Sequence, residues 1–438
     1  MATILLDPQK GIGKIKPMHC VNNGPVKARG DQVRGHFAAY KAAKIPYMRN
    51  HDASFCAAYG GEHTVDVHLI FPDFSRDESD PAAYDFQLTD EYLANTLSAG
   101  TKIFYRLGAK IEHETKKYGT PPPPDFDKWA RVCEHIIRHY NEGWNRGFTW
   151  NIEYWEIWNE PDGGADETDP VMKKTWGGTR EAFFRLFEIT AKHLKSCFPQ
   201  LKIGGPATCG SPNDWVRAFF DYLQARAVPL DFFSWHNYAT TPQGVCYDSA
   251  ATRALMDSHG YARAESICNE WNYVINWDTR FIESIETIIS LKGAAFTAAS
   301  MLLAQNRPID MLMYYDARPC PFNGLFDFYT LRPLKGYYPF HMFSQLYKRG
   351  TQVEAQSDDA DVYAVAARDE NGLTLMAANY NNDAPSAKTL TVRGLSPAAR
   401  AYILDETRDC ALLEDAAVSD GALTLPLPPY AVLLIVDG

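Results

Sequence analysis

The stretch Ile152-Glu153-Tyr154-Trp155-Glu156-Ile157-Trp158-Asn159-Glu160-Pro161 decides the fold. Ile152, Tyr154, Trp155, Ile157 and Trp158 read as a buried strand, and Asn159-Glu160-Pro161 ends it, so a carboxylate stands where a strand gives way to a loop. Ser266-Ile267-Cys268-Asn269-Glu270-Trp271-Asn272-Tyr273 repeats the arrangement. Apolar runs of this kind fall at 14–21, 45–50, 102–107, 152–159, 202–206, 231–236, 266–269 and 310–315. That count of eight, with longer amphipathic stretches between the runs, predicts α/β architecture: a (β/α)8 TIM barrel over residues 14–348.

Two of the intervening helices have legible starts. Asp125-Phe126-Asp127-Lys128-Trp129 offers an acidic first turn to a helix carrying Val132, Ile136 and Ile137, and Thr179-Arg180-Glu181 opens another through Phe183, Leu186, Phe187 and Leu194. Pro121 to Pro124 predict a stiff extended loop. Residues 51–90 depart furthest from regular spacing, and Thr64-Val65-Asp66-Val67-His68-Leu69-Ile70-Phe71 alternates like a hairpin strand that would wall the barrel mouth. Beyond Tyr347-Lys348-Arg349-Gly350 come short strand-like runs, with Asn371-Gly372 as a hairpin signal. These predict a C-terminal β-sandwich accessory domain over 349–438, which the N-terminal segment 1–13, through Ile4-Leu5-Leu6, would complete.

A formal net charge of −11 disfavours nucleic acid and anionic membrane surfaces as partners, and a neutral small molecule suits the chain better. The first residues lack a signal-peptide pattern and no apolar run is long enough to span a bilayer, so a cytoplasmic location is expected. Nine cysteines without Cys-x-x-Cys spacing predict reduced thiols. The sequence leaves oligomeric state open, a homo-oligomer included.

In a strand-helix barrel, catalytic groups stand at the C-terminal ends of strands. Glu160 follows the fourth predicted strand and Glu270 the seventh. Paired carboxylates in such places suit glycoside hydrolysis, where one carboxylic acid protonates the leaving oxygen and a second carboxylate attacks the anomeric carbon.

Trp158-Asn159-Glu160-Pro161 and Asn269-Glu270-Trp271-Asn272 on those strands resemble the clan A retaining glycosidases, and within them glycoside hydrolase family 39. Arg49-Asn50-His51-Asp52, Tyr84-Asp85-Phe86, Thr89-Asp90 and Asp125-Phe126-Asp127-Lys128-Trp129 extend the resemblance. It implies that Glu160 is the general acid/base, Glu270 the nucleophile, and Asn159 the ligand of the sugar 2-hydroxyl. His236 and Tyr238 match the clan's His-x-Tyr position, whose hydroxyl orients the nucleophile; a buried, satisfied histidine is the plainer reading of His236. His51 would contact a sugar hydroxyl. Arg49 would support the nucleophile or serve as a structural ion-pair partner. Trp271 and Tyr315, with Trp235 and Tyr314, could be ring platforms or core. The activity implied is a retaining exo-glycosidase, needing no cofactor, that removes a neutral pentose of the β-xyloside type from a short carbohydrate. Action on α-L-arabinosides is the alternative, and an α-L-iduronidase would need Arg106, Lys110 or Arg318 aimed at a uronate.

Two other classes compete. A metal-dependent hydrolase could draw on His19, His51, Asp52, His236 and Glu270, although no His-x-His or His-Glu-x-x-His supports it. A carbohydrate-binding protein without turnover could use the same scaffold.

Overall fold

The computed structural model describes residues 1–438 apart from 29–32, 52–63, 321 and 323. Strand β1 (Ala2–Lys14) precedes the barrel and belongs to a second sheet. Among the described residues, β2 (Cys20–Asn22), β3 (Tyr47–Arg49), β4 (Lys102–Leu107), β5 (Tyr154–Ile157), β6 (Lys202–Thr208), β7 (Phe232–His236), β8 (Glu265–Trp271) and β9 (Met311–Tyr314) close the barrel in sequence order. Every neighbouring pair is parallel, and β9 returns to β2.

The predicted first strand shortens most. Lys14 is the end of β1, paired with Thr351, and Pro17, which has no N–H to donate, separates it from β2. The residues read as a hairpin strand at 64–71 instead contain a helical turn, Val67–Ile70. Asp66, which strand alternation would turn to solvent, is buried and accepts from Arg106 Nη2 at 2.6 Å and the Lys110 N–H at 3.1 Å. A short apolar run fits either period, and this tertiary ion pair selects the helix. Much of the predicted loop wall, residues 52–63 with Asp52 among them, lies outside the described residues.

The barrel interior is layered. Cys20, Phe104, Tyr154, Phe232, Ile267, Met311 and Met313 form an apolar cluster with Tyr47 against it. Side chains two positions on share the inward face. Asn22, Arg49, Arg106, Glu156, Ser234 and Asn269 occupy that next level, all buried and all polar. Water is excluded from below by the apolar layer, and the polar layer becomes the floor of the mouth.

The helices start as the sequence predicts. Asp125 caps Phe126–Glu142 by accepting from the Lys128 N–H, and Thr179 caps Arg180–Cys197 by accepting from the Ala182 N–H. After the helix Tyr338–Arg349 the chain enters the second sheet, built from β1, β10 (Thr351–Ser357), β11 (Val362–Asp369), β12 (Gly372–Asn379), β13 (Lys388–Arg393), β14 (Arg400–Leu404), β15 (Ala411–Leu412), β16 (Ala422–Leu427) and β17 (Val432–Asp437). Their order is β15-β14-β17-β12-β11-β10-β1-β13-β16. Ile4 of β1, Val392 and Leu425 from one end share a core with Ile403 and Ile435 from the other, so the sheet curls over itself. β1 is internal to it, antiparallel to β10 and parallel to β13. The other face joins the barrel's own core through Val365, Met376 and Leu434. The eight described cysteines are free, and no single helix among the described residues is long and apolar enough to cross a membrane.

Candidate active site

Period-two alternation along β5 and β8 would point Trp158 and Trp271 inward, and both turn out. Trp158 (φ 80°) and Glu160 (φ 47°) have left-handed backbones, a costly conformation for residues with a Cβ. Trp158 thereby packs outward on Trp129 and Trp176, with its Nε1 donating to the Thr175 carbonyl. Close passage requires Gly108, where a Cβ would lie 3.0 Å from the Trp158 Cα. The next two residues, Asn159 and Glu160, are thus delivered to the mouth, and the Glu160 N–H is tied to the Ala207 carbonyl at 2.8 Å. On β8 the register shifts against β7 between Trp235 and His236, and against β9 between Cys268 and Trp271. Glu270 then faces the mouth, paired in register with His236, while Trp271 is wholly buried against Tyr314 and Phe296. The platform reading of Trp271 is therefore corrected to core, and Trp235 and Tyr314 are buried likewise. Tyr315 does reach the mouth, its ring 6.2 Å from that of His51.

Glu160, His236 and Glu270 each bring one ligand atom to within 4.8 Å of the others. His236 Nδ1 stands 2.7 Å from Glu160 Oε1 and 3.5 Å from Glu270 Oε2. Tyr238 donates its hydroxyl to Glu270 Oε2 at 2.9 Å. His51 Nε2 lies 3.8 Å from Glu270 Oε1. Arg49 contacts both Glu156 and Glu270. Its Nε donates to Glu156 Oε2 at 2.6 Å, its Nη1 to Glu270 Oε1 at 2.7 Å and to Asn22 Oδ1 at 3.1 Å, and its Nη2 to Asn159 Oδ1 at 2.7 Å. One guanidinium thus orients the second carboxylate and the amide beside the first. With its oxygen engaged, Asn159 keeps a buried Nδ2 that has no partner, a donor available to a hydroxyl in the mouth.

Glu156, Asn22, Asn269 and Ser234 were not singled out as site residues from the sequence. Glu156 Oε1 accepts from Ser234 Oγ and Asn269 Nδ2, both at 2.5 Å, and Asn22 Nδ2 donates to the Asn269 carbonyl at 2.7 Å. The signal for Glu156 was present: an acid in the middle of an apolar strand needs a buried partner.

Burial pushes the Glu160 carboxyl up to about 7, against the opposing pull of Arg49 and the Cys209 thiol. Burial also raises Glu270, while Arg49 and the Tyr238 hydroxyl favour its ionised form. His236 is lowered to about 4, chiefly by burial, so its ring is neutral at pH 7 and shares a single hydrogen with Glu160. Arg49 is held above the ordinary arginine value because Glu156 and Glu270 outweigh the burial that opposes its charge.

The Glu160, His236 and Glu270 donors could in principle hold a cation. Arg49 already supplies positive charge at 2.7 Å from Glu270, which disfavours a metal there. His19 is no candidate ligand: it precedes β2 at the opposite end of the barrel, contacts the Lys44 carbonyl, and packs against Phe343 and Tyr347.

A parallel barrel whose fourth and seventh strands end on facing glutamates, with a mixed sheet attached, has the architecture of the barrel glycosidases. The chain belongs to glycosyl hydrolases family 39, whose sequence profile matches residues 14–262, more than half of it. A β-xylosidase of Geobacillus stearothermophilus is 33% identical over 168 residues, 36% of this chain and 31% of that protein. A β-xylosidase of Caldicellulosiruptor saccharolyticus is 23% identical over 318 residues, 66% of this chain and 59% of that protein. The chain therefore spans less than two thirds of the length of either relative. Among solved structures, a glucosidase from Croceicoccus marinus shares the fold with a TM-score of 0.80 at 22% identity, covering 100% of this chain and 99% of that one. A monomeric β-xylosidase from Caulobacter crescentus CB15 does so with a TM-score of 0.67 at 18% identity, covering 99% of each chain.

Proposed function

We propose that this protein is a retaining exo-glycosidase that removes a neutral pentose, of the β-xyloside type, by double displacement. The observation that carries the reading is the facing pair: Glu160 and Glu270 each bring a carboxylate oxygen within 4.8 Å of the other, close enough for both to act on one anomeric carbon without a water between them.

The charges divide the labour. Glu160, raised to about 7, carries a proton to the leaving oxygen, while Glu270, gripped by Arg49 and Tyr238, supplies the attacking oxyanion. As the bond from Glu270 to the anomeric carbon forms, the bond to the leaving oxygen breaks and takes the Glu160 proton. Once Glu270 is an ester its charge is gone, so Glu160 can accept a proton from water, whose oxygen displaces Glu270 and restores the pair. Exo action accords with depth: Asn159, His236 and Glu270 lie at 1–3% exposure, at the bottom of the mouth.

A neutral sugar is supported by the nearby cations. Arg106 pairs with Asp66, Arg318 with Asp316 and Lys110 with Glu114, so the charge of each is already matched by a carboxylate of the protein. The names of the two relatives point the same way. Hydrolysis of an aryl-glycoside panel covering β-xylose, α-L-arabinofuranose, α-L-arabinopyranose, β-glucose, β-galactose and α-L-iduronate tests this. Fastest turnover of β-xylose is expected; preference for arabinose selects the alternative, and binding without turnover of any member defeats the enzymatic reading.

A further inference from the structure

The loop after β8 carries Trp277, which is 60% exposed although it stands beside a nearly dry catalytic floor. Its position is fixed by the chain around it. Asn276 Oδ1 accepts from the backbone N–H groups of Asp278 and Arg280, and the Ile275 N–H is bound by Ser284 Oγ at 2.9 Å. Phe281 stacks on the indole at 5.5 Å and 29°, and Phe322 lies 5.9 Å away at 33°. Inward, the indole meets the ring of Tyr238 edge-on at 4.8 Å, and Tyr238 is the residue whose hydroxyl holds Glu270. Phe322 continues the arc to Tyr315 at 5.7 Å. A large aromatic surface is thus braced from behind, kept open to solvent, and set one ring outward from the nucleophile.

Resting on the glycosidase reading above, we propose that Trp277 is the platform for the leaving-group sugar, making the rim a second subsite that selects glycosides with a ring beyond the scissile bond. The buried floor of Asn159, His236 and Glu270 takes the terminal sugar, so whatever departs must lie toward the rim. A pyranose has a polar edge of hydroxyls and a face of C–H bonds, and that face is what an exposed indole can cover while the hydroxyls stay in water. A rigid platform adds affinity without an ordering cost. Ile282, 67% exposed on the adjoining helix Phe281–Ile288, gives the rival use of this patch, contact with a second copy of the chain.

The experiment compares xylobiose with β-D-xylopyranosyl fluoride, which share the transferred sugar and differ in whether a ring leaves. In Trp277→Ala the ratio of kcat/KM for xylobiose to that for the fluoride should fall about tenfold, the order expected for one lost ring contact, and Trp277→Phe should restore most of it. An unchanged ratio, whether both constants fall or neither does, overturns the proposal. So does a change of oligomeric state on gel filtration of Trp277→Ala, which assigns the patch to an interface. A wild-type protein inactive on both compounds would instead defeat the xylosidase reading, and the proposal with it.

Discussion

Arg49 and Glu156 form an ion pair, Nε to Oε2 at 2.6 Å, with both side chains wholly excluded from solvent. Pinned there, the guanidinium has its two remaining nitrogens fixed toward Glu270 and Asn159. A buried charge stripped of every partner costs about 3–5 kcal/mol, and Arg49 without Glu156 would still keep Glu270. Glu156→Gln should therefore lower stability by less than that in denaturant titration and reduce kcat through the misplaced Arg49. An unaltered denaturation midpoint would show that the pair is not holding the floor. Arg49→Lys keeps the charge and loses the fork, so activity should fall far more than stability.

The two glutamates should fail differently when replaced. Glu270→Gln should stop the first step for every substrate, because an amide supplies no oxyanion. Glu160→Ala should still form the glycosyl-enzyme from an aryl glycoside with a good leaving group, release it slowly, and be rescued by azide, while losing disaccharide hydrolysis. Equal losses on activated and natural substrates, or azide rescue confined to the Glu270 variant, would reverse the assignment.

Activity should follow a bell in pH. The alkaline limb of kcat/KM should fall near 7, as Glu160 loses its proton, and the acid limb should lie above the ordinary 4.5 of a glutamate because Glu270 is also raised. Stability carries the same signature. With the folded value of Glu160 at about 7 and an ordinary value of 4.5, the native state holds the proton more tightly. Its contribution is complete below about 4.5 and is lost as pH rises through about 7. Glu160→Gln lacks that titration, so wild type should lose stability relative to it across this window. Parallel curves for the two proteins would contradict the raised value.

Deleting residues 351–438 should leave insoluble protein. The second sheet completes the barrel's core through Val365, Met376 and Leu434, and it braces the loops of the mouth: Tyr380 donates to the Thr240 carbonyl at 2.6 Å and Tyr273 to Asn382 at 3.0 Å. A soluble, heat-stable truncated barrel would show that these contacts are dispensable to folding.

The eight barrel strands, the capped helices and the two strand-end glutamates were legible in the sequence because each depends on neighbours close along the chain: an apolar run, a cap, a loop signal. The resemblance to a known family then supplied roles for Asn159, His236 and Tyr238, whose side chains the structure gathers around Glu160 and Glu270. Local reading lost its hold where two periods fit equally well, as at Val67–Ile70, where the pairing of Asp66 with Arg106 chose the helix.

The direction of side chains at the strand ends was decided by tertiary structure alone. Left-handed residues at 158 and 160 and the register shifts of β8 break the alternation, sending Trp158 and Trp271 into the outer core and bringing Glu160 and Glu270 face to face. Arg49 was legible as a candidate, but the finding that one guanidinium binds two carboxylates required Glu156 and Glu270, from separate strands, to converge on it. Trp277 gave no signal along the chain, since its place beside Tyr238 and Phe322 comes from loops that meet only when the barrel closes. Sequence periodicity fixes what each strand buries; closure of the barrel fixes which strand ends face one another, because that contact has no counterpart along the chain.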